Sequence, residues 1–326
     1  MGARSLYAGE NSKMNPLHEI SHLNACRLCP RSCGVNRLQK QTGFCGETAQ
    51  IRLARAALHF WEEPCISGVN GSGAVFFCGC TLRCVFCQNA AISGGETGRI
   101  ISEKKLGEIF FNLQEMGAHN INLVTPTQFV PQIASVLSSL KQEPAKLKLP
   151  VIYNTGSYET LQTLRQMDGL ADIYLPDLKY VSTELSGKYS HAKDYFPVAS
   201  AAIDEMVRQT GSPVFQETLT SSGPVSLMTR GVIVRHLVLP GHTKDSKKVI
   251  EYLYKTYGNT IYISIMNQYT PMPSMSAYPE LNRRLTRREY DSVVDYAINL
   301  GVENAFIQEG DTAKESFIPP FDLTGL

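Results

Sequence analysis

Cys80, Cys84 and Cys87 stand on one short stretch, Cys80-Thr-Leu-Arg-Cys84-Val-Phe86-Cys87-Gln88, directly after the apolar run Gly73-Ala-Val-Phe-Phe. The run reads as a strand that empties into a loop. Intervals of three residues and then two differ from the paired Cys-x-x-Cys spacing of structural zinc sites. Three thiolates on one tight loop suit three corners of a cubane iron–sulfur cluster, which ordinarily takes four cysteines. An iron left without a protein ligand is open to bind and reduce another molecule.

Four more cysteines cluster near the N-terminus, in Cys26-Arg-Leu-Cys29-Pro-Arg-Ser-Cys33 and Gly43-Phe-Cys45-Gly46. This turn-rich segment is too short for a core of its own, and a bound metal would supply the missing folding energy. Zinc on four thiolates and a second iron–sulfur cluster both fit, and the spacing does not choose between them. With every ligand a protein thiolate, such a site would be closed, and structural or electron-relaying rather than catalytic. Cys65 and Cys78 read as packing thiols.

Elements that would position these groups follow from Gly73 onward, where strands and helices alternate as in parallel β/α units. Strands are predicted at Ala74–Phe77, Ile121–Val124, Val151–Tyr153, Asp172–Leu175, Val232–Leu239 and Thr260–Met266, with a short Ala305–Ile307 at the edge. Ser102 is placed to cap a helix carrying Leu106, Ile109, Phe110 and Leu113 at helical spacing, and Gly117 to stop it. Six units are fewer than the eight of a closed barrel, so the fold class is α/β, a partial (β/α)6 barrel. Residues 1–20 read as a tail, 21–72 as a Cys-rich segment and connector, 73–309 as the partial barrel and 310–326 as a C-terminal tail.

Working groups in parallel barrels sit at the C-terminal ends of the strands. Those ends deliver the cysteine loop, Thr125-Pro-Thr127, Asn154-Thr155, Asp177-Leu-Lys179, Arg235-His236 and Gln268-Tyr269. Residues two apart on an extended segment share a side, so Asp177 and Lys179 are expected to face one pocket together. His236, next to Arg235, is expected to point the other way, into the core.

With Phe86 just before its last cysteine, the Cys80–Cys87 stretch resembles the signature of the radical S-adenosylmethionine (SAM) superfamily, and the resemblance spans about residues 73–309. It implies an incomplete six-unit barrel and a 4Fe–4S cluster on Cys80, Cys84 and Cys87 whose open iron is chelated by SAM. Electron transfer then yields a 5′-deoxyadenosyl radical that abstracts hydrogen from a substrate. Asp177-Leu-Lys179 and Arg235-His-Leu-Val-Leu-Pro-Gly241 are similar to motifs of the glycyl-radical-enzyme activases, above all the pyruvate formate-lyase activating enzyme.

That narrower likeness implies SAM contacts from Asp177, Lys179 and Arg235, with Phe86, Gln88, Thr125, Asn154, Thr155, Gln268 and Tyr269 as further cofactor-binding candidates. It implies a glycyl residue of a partner protein, or another peptide or small molecule, as target, and an electron donor such as flavodoxin or ferredoxin. The sequence departs from the activases at Asn154, where they carry an acid that helps hold a monovalent cation. Gly94-Gly95-Glu96 looks like the superfamily's Gly-Gly-Glu motif but precedes the first crossover helix, so it is read as a loop. Val124-Thr-Pro-Thr127 occupies that motif's place. The reading from a different class is a non-catalytic metal or electron-transfer protein built on the N-terminal cysteines.

Thirty-one basic and thirty acidic side chains nearly cancel, which gives no reason to expect a polyanionic partner. The one basic cluster, Arg283 to Arg288, lies beside a Thr286/Glu289 capping-box pattern and reads as a solvated helix start, not a nucleic-acid surface. Nine clustered cysteines point to a reducing compartment. A polar N-terminus and the lack of a long apolar run complete the expectation of a cytoplasmic protein with no membrane partner.

Overall fold

The computed structural model describes residues 22–94, 97–142, 147–220, 223–272, 275–308 and 319–326. Its centre is β2 (Ser72–Phe77), every residue of which is buried, as a continuous apolar strand covered on both faces should be. Along one edge β2 pairs antiparallel with β1 (Arg52–His59), and β1 pairs with the short β3 (Arg99–Ile100). On its other edge the parallel strands follow in turn: β4 (Ile121–Val124), β5 (Val151–Thr155), β6 (Ile173–Pro176), β8 (Gly223–Leu237), β9 (Tyr262–Met266) and β10 (Ala305–Ile307). β7 (Val214–Thr220) pairs only with β8, and β3 and β10 end the path without meeting, so the sheet is open.

The crossovers carry helices: α1 (Pro64–Ser67) and α2 (Ala90–Ser93) are single turns, then come α3 (Glu103–Glu115), α4 (Val130–Gln142), α5 (Leu161–Arg165), α6 (Thr183–Ser190), α7 (Tyr195–Thr210), α8 (Thr243–Tyr257) and α9 (Arg287–Leu300). Sequence and structure agree closely at α3. The Ser102 hydroxyl accepts from the Lys105 amide, Leu106, Ile109, Phe110 and Leu113 are buried, and Gly117 takes a φ of +85° just past the end. α9 begins on the expected capping box of Thr286 and Glu289.

Three elements differ from the sequence reading. β1 lies in the expected connector; its Arg-Leu-Ala-Arg-Ala-Ala-Leu-His run alternates too weakly to stand out, because small alanines serve both faces. β8 starts well before Val232, and its first half forms a hairpin with β7. Parallel pairing to β6 and β9 begins only at Gly231, so this hairpin hangs below the end of the sheet where the strands begin. Finally, residues 319–326 return along β1. Leu323 donates to the Ala54 carbonyl at 3.1 Å, Ala56 to the Thr324 carbonyl at 2.9 Å, and Phe321 packs edge-on against Phe76.

Candidate functional site

Where β2, β4, β5, β6, β8 and β9 end, the chain encloses a cavity of about 230 Å³. The turn entering it is fixed by Gly79, whose φ is +80°. A Cβ there would lie 2.5 Å from Glu47 Cγ and 2.7 Å from the Cys45 carbonyl, so only glycine brings the two segments this close. Cys80, Cys84 and Cys87 then line one side of the cavity. Leu82 N donates to Cys80 Sγ at 3.4 Å, Ser190 Oγ to Cys84 Sγ at 3.0 Å, and Cys87 N to the Cys84 carbonyl at 3.0 Å.

Burial, reinforced by the neighbouring Cys80 and Cys84, pushes the Cys87 thiol up to about 12. Burial also raises Cys84, although Lys179 draws it partly back. Thiols raised in the way of Cys84 and Cys87 ionise more readily when cationic charge is placed beside them. Among the described residues no three Cys, His, Asp or Glu side chains surround a single-ion position. Three thiols from one loop are the donor set that an iron–sulfur group takes.

Opposite the thiols, β6 and β8 present a charged network. Asp177 Oδ2 accepts from Lys179 Nζ at 2.6 Å, and Oδ1 accepts from Arg235 Nε at 3.1 Å. Arg235 Nη1 reaches Glu62 Oε2 at 3.1 Å and Nη2 reaches Asn154 Oδ1 at 2.5 Å. Burial alone would raise the Asp177 carboxyl; the Lys179 ammonium and the Arg235 guanidinium outweigh it and hold the group below its usual range. Lys179 is raised for the complementary reason: burial opposes its charge, but Asp177 and then Cys84 favour it more strongly. A carboxylate and two cations thus stay ionised at neutral pH in a partly enclosed space.

Thr125 marks the end of β4 with a φ of +57°, an unfavourable setting for a β-branched residue. It is held there by Gln128, whose amide donates to the carbonyls of Thr125 at 2.9 Å and Cys78 at 2.7 Å. Phe86 lines the cavity with its ring set against Tyr180 and Tyr269. Gln88 Nε2 donates to the Gln268 carbonyl at 2.9 Å, tying the cysteine loop to the end of β9. Thr155 borders the cavity, but its hydroxyl turns to Glu159 Oε1 at 2.6 Å.

Tyr269 is set apart from the other candidates. It is 1% exposed, stands behind Phe86 and donates its hydroxyl to the Leu281 carbonyl at 2.7 Å. Gln268 alone of that pair faces the cavity, because consecutive residues on an extended segment point to opposite sides. His236 is a core residue, with Nδ1 on the Leu178 carbonyl at 2.7 Å and its pKa brought down to about 4 by burial. Cys78 and Cys65 are buried packing thiols. Of Gly94-Gly95-Glu96, the last two lie outside the described residues.

The sequence reading missed Glu62 as a site residue. Glu62 is held by Asn122 Nδ2 at 2.9 Å and closes the far side of Arg235. Its signal was the pair Glu62-Glu63 beside the only tryptophan; His59 and Trp61 also border the cavity. Glu159 was missed as well, being 3% exposed behind Thr127 and Thr155, both of which donate to its Oε1 at 2.6 Å. Pro319 reaches the cavity wall from the C-terminal segment. Cys26, Cys29, Cys33 and Cys45 do not line the cavity, and of these the Cys45 carbonyl abuts the Gly79 turn. A larger groove, about 510 Å³, runs over the surface between α3 and α4, remote from these groups.

Fold and site together define an open α/β sheet whose parallel strand ends surround a cavity with three thiols on one wall and a carboxylate–lysine–arginine network on the other. The chain is 28% identical over 282 residues to an uncharacterized protein, MJ0674, of Methanocaldococcus jannaschii, an alignment covering 83% of this chain and 74% of that one. No protein-family model matches. Similar solved structures include Streptococcus suis SuiB bound to S-adenosylmethionine (13% identity, 72% of this chain and 49% of that one, TM-score 0.49) and methylornithine synthase PylB (16% identity, 70% and 60%, TM-score 0.44). The chain thus spans about half the length of SuiB. Likenesses this loose carry no function across.

Proposed function

We propose that the chain is a radical SAM enzyme, with Cys80, Cys84 and Cys87 holding a 4Fe–4S cluster. The observation that carries this reading is the meeting, in one cavity, of three thiols on an open-liganded spacing with Asp177, Lys179 and Arg235. When bound, the cluster supplies the electron that cleaves SAM to methionine and a 5′-deoxyadenosyl radical.

The chain's own residues bind and orient. Thr125 with nearby carbonyls would take the methionyl amine. Lys179 and the N–H groups of Arg235 that its protein partners leave over set a positive field for the methionyl carboxylate. Asp177 keeps those cations from repelling one another before SAM arrives. Phe86, Gln88 and Gln268 form the wall between the cysteine loop and the end of β9, and a narrow, partly apolar wall keeps a reactive intermediate from water.

The target in this reading is hydrogen on a backbone glycine of a partner protein, with a flavodoxin or ferredoxin as electron source. Its support is the activase-like pair Asp177-Leu-Lys179 and Arg235 before Pro240-Gly241. Reduced, cluster-loaded protein should change its EPR signal when SAM is added, and a co-incubated partner should acquire a glycyl-radical doublet. A cluster signal indifferent to saturating SAM removes the SAM reading. Deuterium carried into 5′-deoxyadenosine from a small molecule, with no doublet, removes the glycyl target alone.

A further inference from the structure

The N-terminal cysteines remain unaccounted for by the cavity. Backbone pairing of Cys26 with Val35 and Gly34, at 2.9 Å each, doubles the segment back on itself, and Ser32 N closes a turn on the Cys29 carbonyl at 3.0 Å. The second half is drawn in by Phe44 N, which donates to Cys33 Sγ at 3.3 Å. A Cβ on Gly43 would come within 2.6 Å of that sulfur. A turn from Gly46 N to the Gly43 carbonyl, 3.1 Å, then presents Cys45. Cys26, Cys29 and Cys45 lie within electrostatic range of one another.

Two further observations concern charge and packing. Arg37 is 1% exposed and forms no ion pair among the described residues. Its Nη atoms reach only the carbonyls of Gln128, 2.6 Å, and Thr48, 2.5 Å, and its Nε has no hydrogen-bond partner. Its charge bears on Cys45 and on Glu47, whose carboxylate is already held by Arg52 at 2.8 Å. A buried guanidinium in this position calls for a nearby anion. The apolar core of the segment is only Leu23, Cys26 and Leu28, with Val35 and Ala49 at its margin, and polar contacts such as Thr163 Oγ1 to the Leu28 carbonyl, 2.7 Å, tie it to the rest of the protein.

We propose that Cys26, Cys29, Cys33 and Cys45 form a second, closed tetrathiolate centre for a thiophilic metal, either zinc or an iron–sulfur cluster. Its net negative charge would answer Arg37. It would also brace the catalytic loop, because Cys45 abuts Gly79 and Arg31 Nε donates to the Thr81 carbonyl at 2.9 Å. Among the described residues no three Cys, His, Asp or Glu side chains surround a single-ion position; loading in this proposal would draw the thiols together, with metal binding and local folding coupled.

The test uses full-length protein purified anaerobically, with zinc, iron and sulfide measured per chain. The variant Cys80→Ala/Cys84→Ala/Cys87→Ala removes the cavity centre altogether, so its metal content reads the second site independently of the proposed function. It should retain either stoichiometric zinc or iron with sulfide, the two arms identifying the metal. A strong chelator should release that metal and expose four additional titratable thiols. The variant Cys26→Ser/Cys29→Ser should lose this metal and keep the iron of the cavity. Should the double variant fail to fold, the chelator titration of the triple variant decides alone. A folded triple variant that holds neither zinc nor iron, and whose count of titratable thiols a strong chelator does not raise, overturns the proposal.

Discussion

Asp177 is the residue on which the cavity's electrostatics turn, since it touches Lys179 and Arg235 at once. Asp177→Asn keeps the shape but leaves two cations facing each other without their shared counter-charge. Breaking a buried pair in this way costs about 3 kcal/mol, to be read from urea denaturation, and SAM affinity by equilibrium dialysis should fall with it. Unchanged stability would mean that solvent already screens the network. Glu159 offers a test by pH, because burial raises its carboxyl to about 7 even though Thr127 and Thr155 hydrogen-bond to it. Its folded pKa is above its unfolded one, so the folded state binds the extra proton and stability falls as pH rises between about 4.5 and 7. Glu159→Gln lacks that loss. The variant's advantage over the parent should grow through this window by up to about 3 kcal/mol and level off above it. An advantage independent of pH would contradict the assignment.

The element least visible in the sequence, β1, is also the one that depends on a distant segment. Removing residues 319–326 deletes two backbone hydrogen bonds to Ala54 and Ala56 and uncovers Phe76. The truncated protein should melt several degrees lower and show faster amide exchange at Ala56; unchanged exchange there would show the segment to be dispensable. A strand covered by chain far away in sequence leaves little local pattern, which is why β1 was hidden while β2, buried on both faces, was plain. Strand ends were legible in the same uneven way. Asp177 and Lys179 share a side because they are two apart, so both were found. Gln268 and Tyr269 are adjacent, so only one of them could reach the cavity. Asn154 and Thr155 divide likewise, one toward Arg235 and the other toward Glu159. Glu62 escaped because it follows directly on the strand that was not seen.

Across the whole molecule, the open run of parallel strands places their C-terminal ends around one space, while the N-terminal cysteine segment packs against Gln128, Thr163 and Ser190 and the C-terminal residues run along β1. The chain thereby supports the Cys80–Cys87 loop from behind and leaves its front to the cavity. The central claim is that the thiols and the charged network act together on one ligand, SAM. The most direct measurement is the 5′-deoxyadenosine formed when anaerobically cluster-loaded protein is given SAM and dithionite. The account predicts product from the parent chain, none from Cys84→Ala, and strongly reduced yield from Asp177→Asn. Protein that carries its full complement of iron and sulfide yet leaves SAM intact would contradict it.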